Sequence, residues 1–244
     1  MMSAPRRGHT AKPITAAQFL DQWLDVPLGC TIDRLRPSGK DTGRVSVVVM
    51  GRSLGTISKA EAERLGLTVG REWTASLATK LARAMEDDAA RVAAARLLDV
   101  RPRSVGELRQ RLRQKRIKQA TADRLVNELE SQGKLDDESF AKVYAASAAN
   151  KPVGARLIEA RLRQKQVAPE LARRASRAAL AGRDPIEDAT ALARKKLRTL
   201  PAKLDAPARA RRLFGALARR GFDPETCRRA VRAVVAYEID PSGE

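Results

Sequence analysis

The sequence is poor in aromatic residues, cysteine and histidine, and each shortage excludes a class of protein. Eight aromatic residues in 244 are too few for a base-stacking sheet of the RRM or OB type. Cys30 and Cys227 lie far apart and form no cluster, so we expect no disulfide scaffold and a reducing, cytoplasmic location. His9 is the single histidine and lies in a polar leader, which excludes a histidine-built metal site and a Ser-His-Asp relay.

Long apolar runs and nucleotide-binding loops are also missing from the sequence. No apolar run approaches the length of about 18 residues that a membrane span requires. The start, Met1 to Arg7, has no apolar region, so we expect no secretory signal. Because there is no glycine-rich phosphate loop of the Walker type, we expect no intrinsic ATPase activity and no cofactor.

Positive charge is what the sequence has in excess. The chain carries 48 Lys and Arg against 29 Asp and Glu, a formal net charge of +19. This surplus attracts polyanions, which for a cytoplasmic protein are DNA, RNA or an acidic protein surface. The apolar fraction of 43% is enough to bury a core, so we expect one or two compact units or several smaller ones.

The cations are concentrated rather than spread evenly along the chain. Residues 101 to 118 contain eight basic residues and one acid, Glu107, and residues 209 to 220 contain five basic residues and no acid. A third cluster is Arg194-Lys195-Lys196. The alternative is that these basic residues are only solvent-exposed surface without a ligand. The clustering of the basic residues argues against this alternative. With so few aromatics, contacts to nucleic acid should be to phosphates rather than to bases.

The first third of the chain differs in character from the rest. Residues 1–13 are expected to be a flexible leader, and residues 14–85 a small α+β domain with a helix near 14–25. Val45 to Met50 is the strongest β-branched run and follows a hairpin-forming loop, Ser38 to Gly43. The predicted strands lie near 30–36, 44–50 and 54–58.

From Leu77 onward the pattern is helical almost to the end, with clear helix starts. Ser104 and Glu107 form a capping-box pattern that satisfies free amides of a first helical turn. Other starts combine an acidic N-cap with proline or further acids. These starts are Asp136-Asp137-Glu138, Asp184-Pro185-Ile186-Glu187 and Asp223-Pro224-Glu225.

A pattern of apolar anchors repeats three times with a period of about 50 residues. Each copy has an anchor, a leucine four residues later and a basic turn that ends at an apolar residue. The anchors are Leu108, Ile158 and Leu213. The pattern predicts three-helix modules at 86–136, 137–183 and 184–239, before a tail at 240–244, stacked in an elongated, curved array. The third copy carries five extra residues within 199–207.

The second helix of each module should bury its leucines and point cations outward. Arginine suits bidentate contact with phosphate or carboxylate, and about six phosphate contacts would give a slope of log K against log salt near −5. Any single cation of the set could instead be ordinary solvated surface. The candidate partner- and DNA-binding residues are Arg101, Arg103, Arg109, Arg111, Arg113, Lys115, Arg116, Arg156, Arg161, Arg163, Lys165, Arg194, Lys195, Lys196, Arg219 and Arg220.

Residues from about 86 to 237 resemble the RecX family, the regulatory proteins of the RecA recombinase. The resemblance rests on four motifs in order. They are Leu97-Leu98-x-x-Arg101-x-Arg103-Ser104-x-x-Glu107-Leu108-x-x-x-Leu112, Gly133-Lys134-Leu135-Asp136-Asp137-x-x-Phe140-Ala141, Gly154-x-x-x-Ile158-x-x-x-Leu162 and Arg220-Gly221-Phe222. The family often has glycine before the apolar residue that ends the second helix. Gly221 retains it, whereas Arg116 and Gln166 replace it.

The resemblance implies tandem three-helix modules that bind RecA and lie along the groove of the RecA–DNA filament. It also implies inhibition of ATP hydrolysis, strand exchange and co-protease action. We hypothesise that modules one and two carry the contact, and that reversing the charge of Arg109, Arg113 and Arg116 weakens inhibition without loss of the fold. We expect a monomer that contacts DNA through phosphates and does not associate with membranes.

Two other functions remain open from the residues alone. A stand-alone DNA-binding or transcriptional protein could be built from helix-turn-helix-like modules, although the acids and prolines that begin the third helices suit capping better than base readout. An enzyme could use Asp136-Asp137-Glu138 as a carboxylate site, although a helix N-terminus explains these acids better. We therefore expect a protein that is not an enzyme.

Overall fold

The computed structural model describes residues 15–38, 41–201 and 203–239. The leader predicted at 1–13, the tail predicted at 240–244 and His9 lie outside these ranges. The chain divides into two compact units. The first contains the residues up to Arg101 together with 108–132, and the second contains 102–107 together with the residues from Gly133 onward.

A three-stranded antiparallel sheet opens the first unit, as the sequence predicts. It runs in the order β1 (Ile32–Ser38), β2 (Asp41–Val49) and β3 (Arg52–Ser58). The β-branched run lies on the central strand, where Val47 and Val49 are fully buried. Such residues fill a pleated, buried surface well, which explains why this segment becomes β2.

Two short helices and both tryptophans complete the small α+β domain. The helices are α1 (Ala16–Gln22) and α2 (Lys59–Arg64). The indole of Trp23 donates a hydrogen bond of 3.0 Å to the carbonyl of Leu54 and meets the ring of Trp73 edge-on, with 5.7 Å between centroids. The core of this domain therefore contains Phe19, Trp23 and Trp73, which are half of the described tryptophan and phenylalanine rings.

One continuous helix, α3 (Ala75–Val100), joins this domain to the first three-helix module. Its first half packs Leu77, Leu81 and Met85 into the core beneath the sheet. The boundary predicted between residues 85 and 86 therefore lies inside a helix. The segment has neither glycine nor proline and is rich in alanine and leucine, so nothing in its sequence interrupts the helix.

Glu86, on α3, forms hydrogen bonds with both α1 and the helix of the first unit that contains Thr121. Its carboxylate is almost fully buried and accepts hydrogen bonds from the Thr121 hydroxyl (2.7 Å) and from the Ala16 amide (2.6 Å). The Ala16 amide belongs to the first turn of α1, where backbone N–H groups have no partner within the helix. Lys118 adds a positive charge 3.8 Å away.

Eight further helices complete the three modules. The first module continues with α4 (Val105–Gln114) and α5 (Gln119–Ser131). The second contains α6 (Asp137–Ala149), α7 (Ala155–Gln164) and α8 (Pro169–Ala179). The third contains α9 (Pro185–Leu197), α10 (Ala206–Arg219) and α11 (Pro224–Ile239). The tandem three-helix architecture predicted from the anchors is confirmed, and Leu108, Ile158 and Leu213 are all buried. The exact module limits stay a prediction.

The three second helices end in the same turn, although only one of them has glycine there. Arg116, Gln166 and Gly221 all adopt positive φ, at 64°, 61° and 82°. In each turn the next amide, from Ile117, Val167 or Phe222, donates to a carbonyl five residues earlier, as in a Schellman motif. These three apolar residues are buried. The positive φ therefore costs about 1 kcal/mol of backbone strain at each of the two non-glycine residues, Arg116 and Gln166.

No helix in the described part of the chain is both long and apolar enough to cross a membrane.

Candidate interaction surface

The outer side of α4 and the turn that follows it carry a group of exposed cations. Arg111, Arg113, Lys115 and Arg116 are all exposed, while Leu108 on the same helix is completely buried. The side chains of Arg113, Lys115 and Arg116 have no hydrogen-bond or ion-pair partner within the described ranges. Arg111 donates a 3.0 Å hydrogen bond to Gln114. These groups keep most of their capacity to bind phosphate or carboxylate.

The second module repeats two of these cations on α7. Arg161 and Arg163 stand three and five residues after Ile158, the same spacing that Arg111 and Arg113 have from Leu108. Arg161 is exposed and has no partner among the residues described. Arg163 is 51% exposed and lies 3.9 Å from Glu159. A pair this exposed contributes little and does not withdraw the guanidinium from other partners.

Arg103 and Lys165 are placed differently, because both neutralise Glu107. The Arg103 side chain is 8% exposed and lies 2.9 Å from the Glu107 carboxylate, which is 9% exposed. Lys165 approaches the same carboxylate to 3.8 Å and lies 5.3 Å from the centre of the Tyr144 ring. Buried charges require such pairing. These two candidate residues hold the start of α4 rather than face a ligand.

Arg109 is also engaged inside the fold. It is half-buried, donates to Asn127 at 2.6 Å, and lies 3.5 Å from Asp123 and 3.9 Å from Glu130. All three partners are on α5. A glutamate in place of Arg109 would stand among like charges, so the charge reversal of Arg109 is expected to disturb the packing of α4 on α5.

The remaining candidates divide between half-buried and exposed positions. Arg101 caps the end of α3 and Arg220 caps the end of α10, and both are half-buried. Arg156, the three cations of the last turn of α9 and Arg219 are exposed. The α9 cations Arg194, Lys195 and Lys196 stand where the helix dipole favours positive charge.

A cleft in the third module brings cations together in a way that the sequence did not single out. Its volume is about 590 Å³, and Lys196 and Arg219 line it together with Arg211 and Arg212. The last two belong to the basic run at 209–220 but not to the candidate set. The signal that could have found them is the coincidence of this run with the extra residues at 199–207.

Two close contacts between helix ends lie within the second unit. The N-terminal residues of α4 pack against the C-terminal turn of α7, and the N-terminal residues of α7 pack against the C-terminal turn of α10. The Ser104 hydroxyl accepts the Glu107 amide at 3.1 Å and donates to the carbonyl of Lys165. A Cβ on Gly106 would lie 2.4 Å from the Cβ of Gln166. We call this contact the first joint.

The second joint repeats this contact between α7 and α10. The Gly154 amide donates to the carbonyl of Arg220 at 2.9 Å. A Cβ on Gly154 would lie 2.1 Å from the oxygen of Gly221, and a Cβ on Gly221 would lie 2.3 Å from the Leu157 nitrogen. Neither joint could be predicted directly from the sequence, because the partners are 60 or more residues apart.

The acidic triplet at the start of α6 has structural partners. Asp136 accepts the amides of Glu138 and Ser139, and the hydrogen bonds from Ser139 and the Glu138 amide hold the pKa of Asp136 below its ordinary value. Asp137 accepts the Val105 amide at 2.8 Å, and Glu138 lies 2.8 Å from Arg174. All three acids thus cap or tether helices, as expected for a helix N-terminus.

The third helices of the second and third modules both begin with proline followed by glutamate, although only α11 has a side-chain N-cap. Asp223 accepts the amides of Glu225 and Thr226, and its hydrogen bonds, above all that from the Thr226 hydroxyl, lower the pKa of Asp223. Glu225 then pairs with Arg228 at 2.7 Å. In α8, Glu170 pairs with Arg173 after Pro169. Both starts present carboxylates, which suits them poorly to a DNA groove.

Comparison with known proteins gives a consistent result over the three modules. The family model of the first three-helix domain of RecX matches residues 90–129. The models of the second and third RecX three-helix domains match residues 136–175 and 184–231. Together these matches follow the order of helices α3 to α11.

Individual relatives agree with the family models. The chain is 36% identical over 146 residues to a protein named Regulatory protein RecX from Chlorobaculum tepidum, covering 59% of this chain and 88% of that protein. It is also 36% identical over 128 residues to a protein of the same name from Amycolatopsis mediterranei, covering 52% of this chain and 71% of that protein. A solved structure, "Crystal structure of regulatory protein RecX", aligns with a TM-score of 0.59 and 19% identity, covering 85% of this chain and 98% of that one.

Proposed function

Because the chain belongs to the RecX family of regulatory proteins, we propose that it binds the RecA recombinase and the RecA–DNA filament. Binding inhibits the ATPase, strand-exchange and co-protease activities of RecA and thereby modulates recombination and DNA repair. The protein acts by binding and catalyses no reaction of its own.

The observation that carries this proposal is the repetition of exposed cations at equivalent positions of α4 and α7. Arg111 and Arg161 share one position of the repeat, and Arg113 and Arg163 share another. The helix dipole favours positive charge in the last turns where they stand, but their side chains lie outside the buried leucine stripe and are exposed to a partner. A repeated outward-facing pair of this kind suits a polyanionic, repetitive target such as a nucleoprotein filament.

Electrostatic attraction supplies both the speed and the salt dependence of such binding. Exposed guanidinium groups steer association with a negatively charged filament and form bidentate contacts with phosphate or carboxylate. Each DNA phosphate that a cation neutralises releases counterions, which contributes about −0.9 to the slope of log K against log salt. Filament binding by this protein should therefore weaken steeply as salt rises.

The RecA-dependent hydrolysis of ATP on single-stranded DNA tests the proposal. Titration with the wild-type protein should inhibit hydrolysis, and the double variant Arg111→Gln/Arg161→Gln should require roughly ten-fold more protein for half inhibition. The matched control is Arg173→Gln/Arg228→Gln, which removes the same charge from exposed pairs within α8 and α11. An absence of inhibition by the wild-type protein would refute the proposal.

Duplex DNA without RecA discriminates the alternative of a stand-alone DNA-binding regulator. The proposal expects weak binding that is independent of sequence, because the exposed cations contact phosphates. Protection of one defined duplex sequence in a footprinting experiment, in the absence of RecA, would favour the alternative instead.

A further inference from the structure

The cleft of the third module differs from the rest of the cationic surface because it also has an apolar floor. The last turn of α9, the segment of extra residues and α10 surround it. Leu200 and Leu204 come from the extra segment and are half-buried, and Leu213 comes from α10 and is almost fully buried. The cleft therefore offers apolar contact as well as charge.

Four cations line this cleft, and no acid among the described residues does. Lys196, Arg211, Arg212 and Arg219 are all exposed, and none of their side chains has an ion-pair or hydrogen-bond partner in the part of the chain that the structure describes. By contrast, the exposed side chains of Arg163, Arg173 and Arg228 in this unit each lie beside a glutamate of their own helix. Because these four positive charges have no neighbouring acid, electrostatic complementarity favours a negatively charged ligand in the cleft.

The repeat shows what occupies the same face in the other modules. Arg211 and Arg212 stand two residues and one residue before the anchor Leu213. Gly106 stands two residues before Leu108 and contacts Gln166 in the first joint. Leu157 stands one residue before Ile158 and contacts Gly221 in the second joint. In both joints the occupant of this face is the C-terminal end of a helix, whose carbonyl groups carry partial negative charge.

In the third module the corresponding face is open and is shaped by features that the other modules lack. The extra residues between α9 and α10 supply Leu200 and Leu204 to the lining of the cleft. Gly215, inside α10, leaves the floor accessible, since a Cβ there would meet the Arg219 guanidinium at 3.3 Å and no other atom within 4 Å. Glycine inside a helix costs about 1 kcal/mol relative to alanine, so its presence here is not explained by helix stability.

We infer that this cleft docks an acidic helical segment of a protein partner, which inserts leucine-sized apolar side chains between the four cations. The inference deepens the proposed function and rests on it, because it assigns one of the contacts of the regulator to protein rather than to DNA. The apolar floor favours protein over nucleic acid, since phosphates gain nothing from leucine side chains. No aromatic side chain of the described residues lines the cleft to stack on a base.

Synthetic peptides are the probe for this site. One peptide is an amphipathic helix with glutamates flanking a stripe of leucines, and its counterpart has glutamine for every glutamate. Binding to the whole protein is followed by fluorescence anisotropy. The acidic peptide should bind about ten-fold more tightly than the glutamine peptide, because only the acidic one compensates the four cations.

Two variants change the cleft in different ways. Arg211→Gln/Arg212→Gln removes charge from exposed side chains, and Gly215→Leu fills the space while favouring the helix. Both should weaken binding of the acidic peptide about ten-fold, with a thermal melt confirming that the fold is kept. The control Arg173→Gln/Arg228→Gln, with the same loss of charge outside the cleft, should bind like the wild-type protein.

Several outcomes would overturn the inference. It fails if the cleft variants bind the acidic peptide as the wild-type protein does, or if the two peptides bind equally well. It also fails if single-stranded DNA displaces the peptide and loses affinity in the same variants, because the cleft is then a nucleic-acid site. Loss of self-association in the cleft variants, measured by sedimentation, would show instead that the occupant is a second copy of the chain.

These experiments distinguish a refutation of the docking site from a refutation of the proposed function. If the wild-type protein inhibits RecA but the cleft variants bind peptide and inhibit RecA normally, the docking inference alone is refuted. If the peptide results hold but the wild-type protein leaves RecA unaffected, the docking site is supported and the proposed regulation of RecA is refuted.

Discussion

The first and second joints perform the same task with different chemistry. In the first joint, side chains make most of the contacts. The Ser104 hydroxyl donates a hydrogen bond to the Lys165 carbonyl, and the Glu107 carboxylate attracts the Lys165 ammonium group. In the second joint, the backbones of Gly154 and Gly221 are in direct contact and leave no room for a side chain on either residue.

The difference shows that the repeat conserves a distance between helix ends rather than a residue type. The turn at the end of the second helix keeps positive φ whether it carries Gln166 or Gly221. Gln166 is tolerated because Gly106, opposite, has no Cβ. Gly221 is required because Leu157 approaches within 2.3 Å of the place where its Cβ would be. One glycine suffices in the first joint, whereas the second uses two.

The largest effect is expected from Gly154→Ala in the second joint. The new Cβ would overlap the backbone oxygen of Gly221, which cannot move without separating α7 from α10. The free energy of unfolding, measured by urea denaturation, should fall by about 3 kcal/mol or more. Gly215→Ala is the control, since its Cβ meets only the end of a flexible arginine, and it should be neutral or stabilising.

Gly106→Ala tests the first joint, where the obstacle is the side chain of Gln166. We expect a smaller loss, about 2 kcal/mol, because part of the collision is with an atom that a rotamer change can move. Gln166→Gly removes the obstacle and should restore most of the loss in the double variant. Additive losses in this double-mutant cycle would contradict the contact.

Ser104→Ala removes one hydroxyl that serves two partners. The hydroxyl accepts the Glu107 amide and donates to the Lys165 carbonyl, so its loss leaves both backbone groups without that bond. Loss of an N-cap side chain costs about 1 kcal/mol, and the second bond should raise the cost toward about 2 kcal/mol. Ser104→Thr keeps the hydroxyl but adds a methyl group at a fully buried position, so it should recover only part of the stability in the same denaturation assay.

Arg116→Gly should have the smallest effect and the opposite sign. Glycine relieves the positive φ of this turn but gains freedom in the unfolded chain, so we expect a net stabilisation below about 1 kcal/mol. The measurement is the shift of the denaturation midpoint. A marked destabilisation would show that the Arg116 side chain stabilises the turn through contacts that its exposed position does not reveal.

Much of the fold follows from local sequence signals. The 50-residue spacing of the anchors predicts the three modules because each anchor must face the interior of its own bundle. The N-caps Asp136 and Asp184 act where the sequence places them, because capping depends on residues within one turn. The small sheet follows from one β-branched run and its flanking turns.

The interaction surface was less predictable, because charge in the sequence does not reveal which cations have partners. Arg103 and Arg113 look alike in the sequence, yet Arg103 is buried against Glu107 and Arg113 is exposed. The distinction depends on contacts between helices, as does the packing of the joints. The helical pattern predicted from Leu77 onward agrees with α3, and the boundary predicted between residues 85 and 86 lies inside this helix because nothing in the segment interrupts it.

The affinity of the protein for a RecA filament on single-stranded DNA tests the central proposal most directly, namely that the matched exposed cations, those of α4 in the first unit and those of α7 in the second, each contribute to filament binding. The decisive comparison is between wild type and the variant with glutamine at the four matched positions 111, 113, 161 and 163. We predict that this variant binds at least about ten-fold more weakly, with a shallower salt dependence, while it unfolds at the same temperature. Equal affinity and equal salt dependence for the two proteins would contradict the claim.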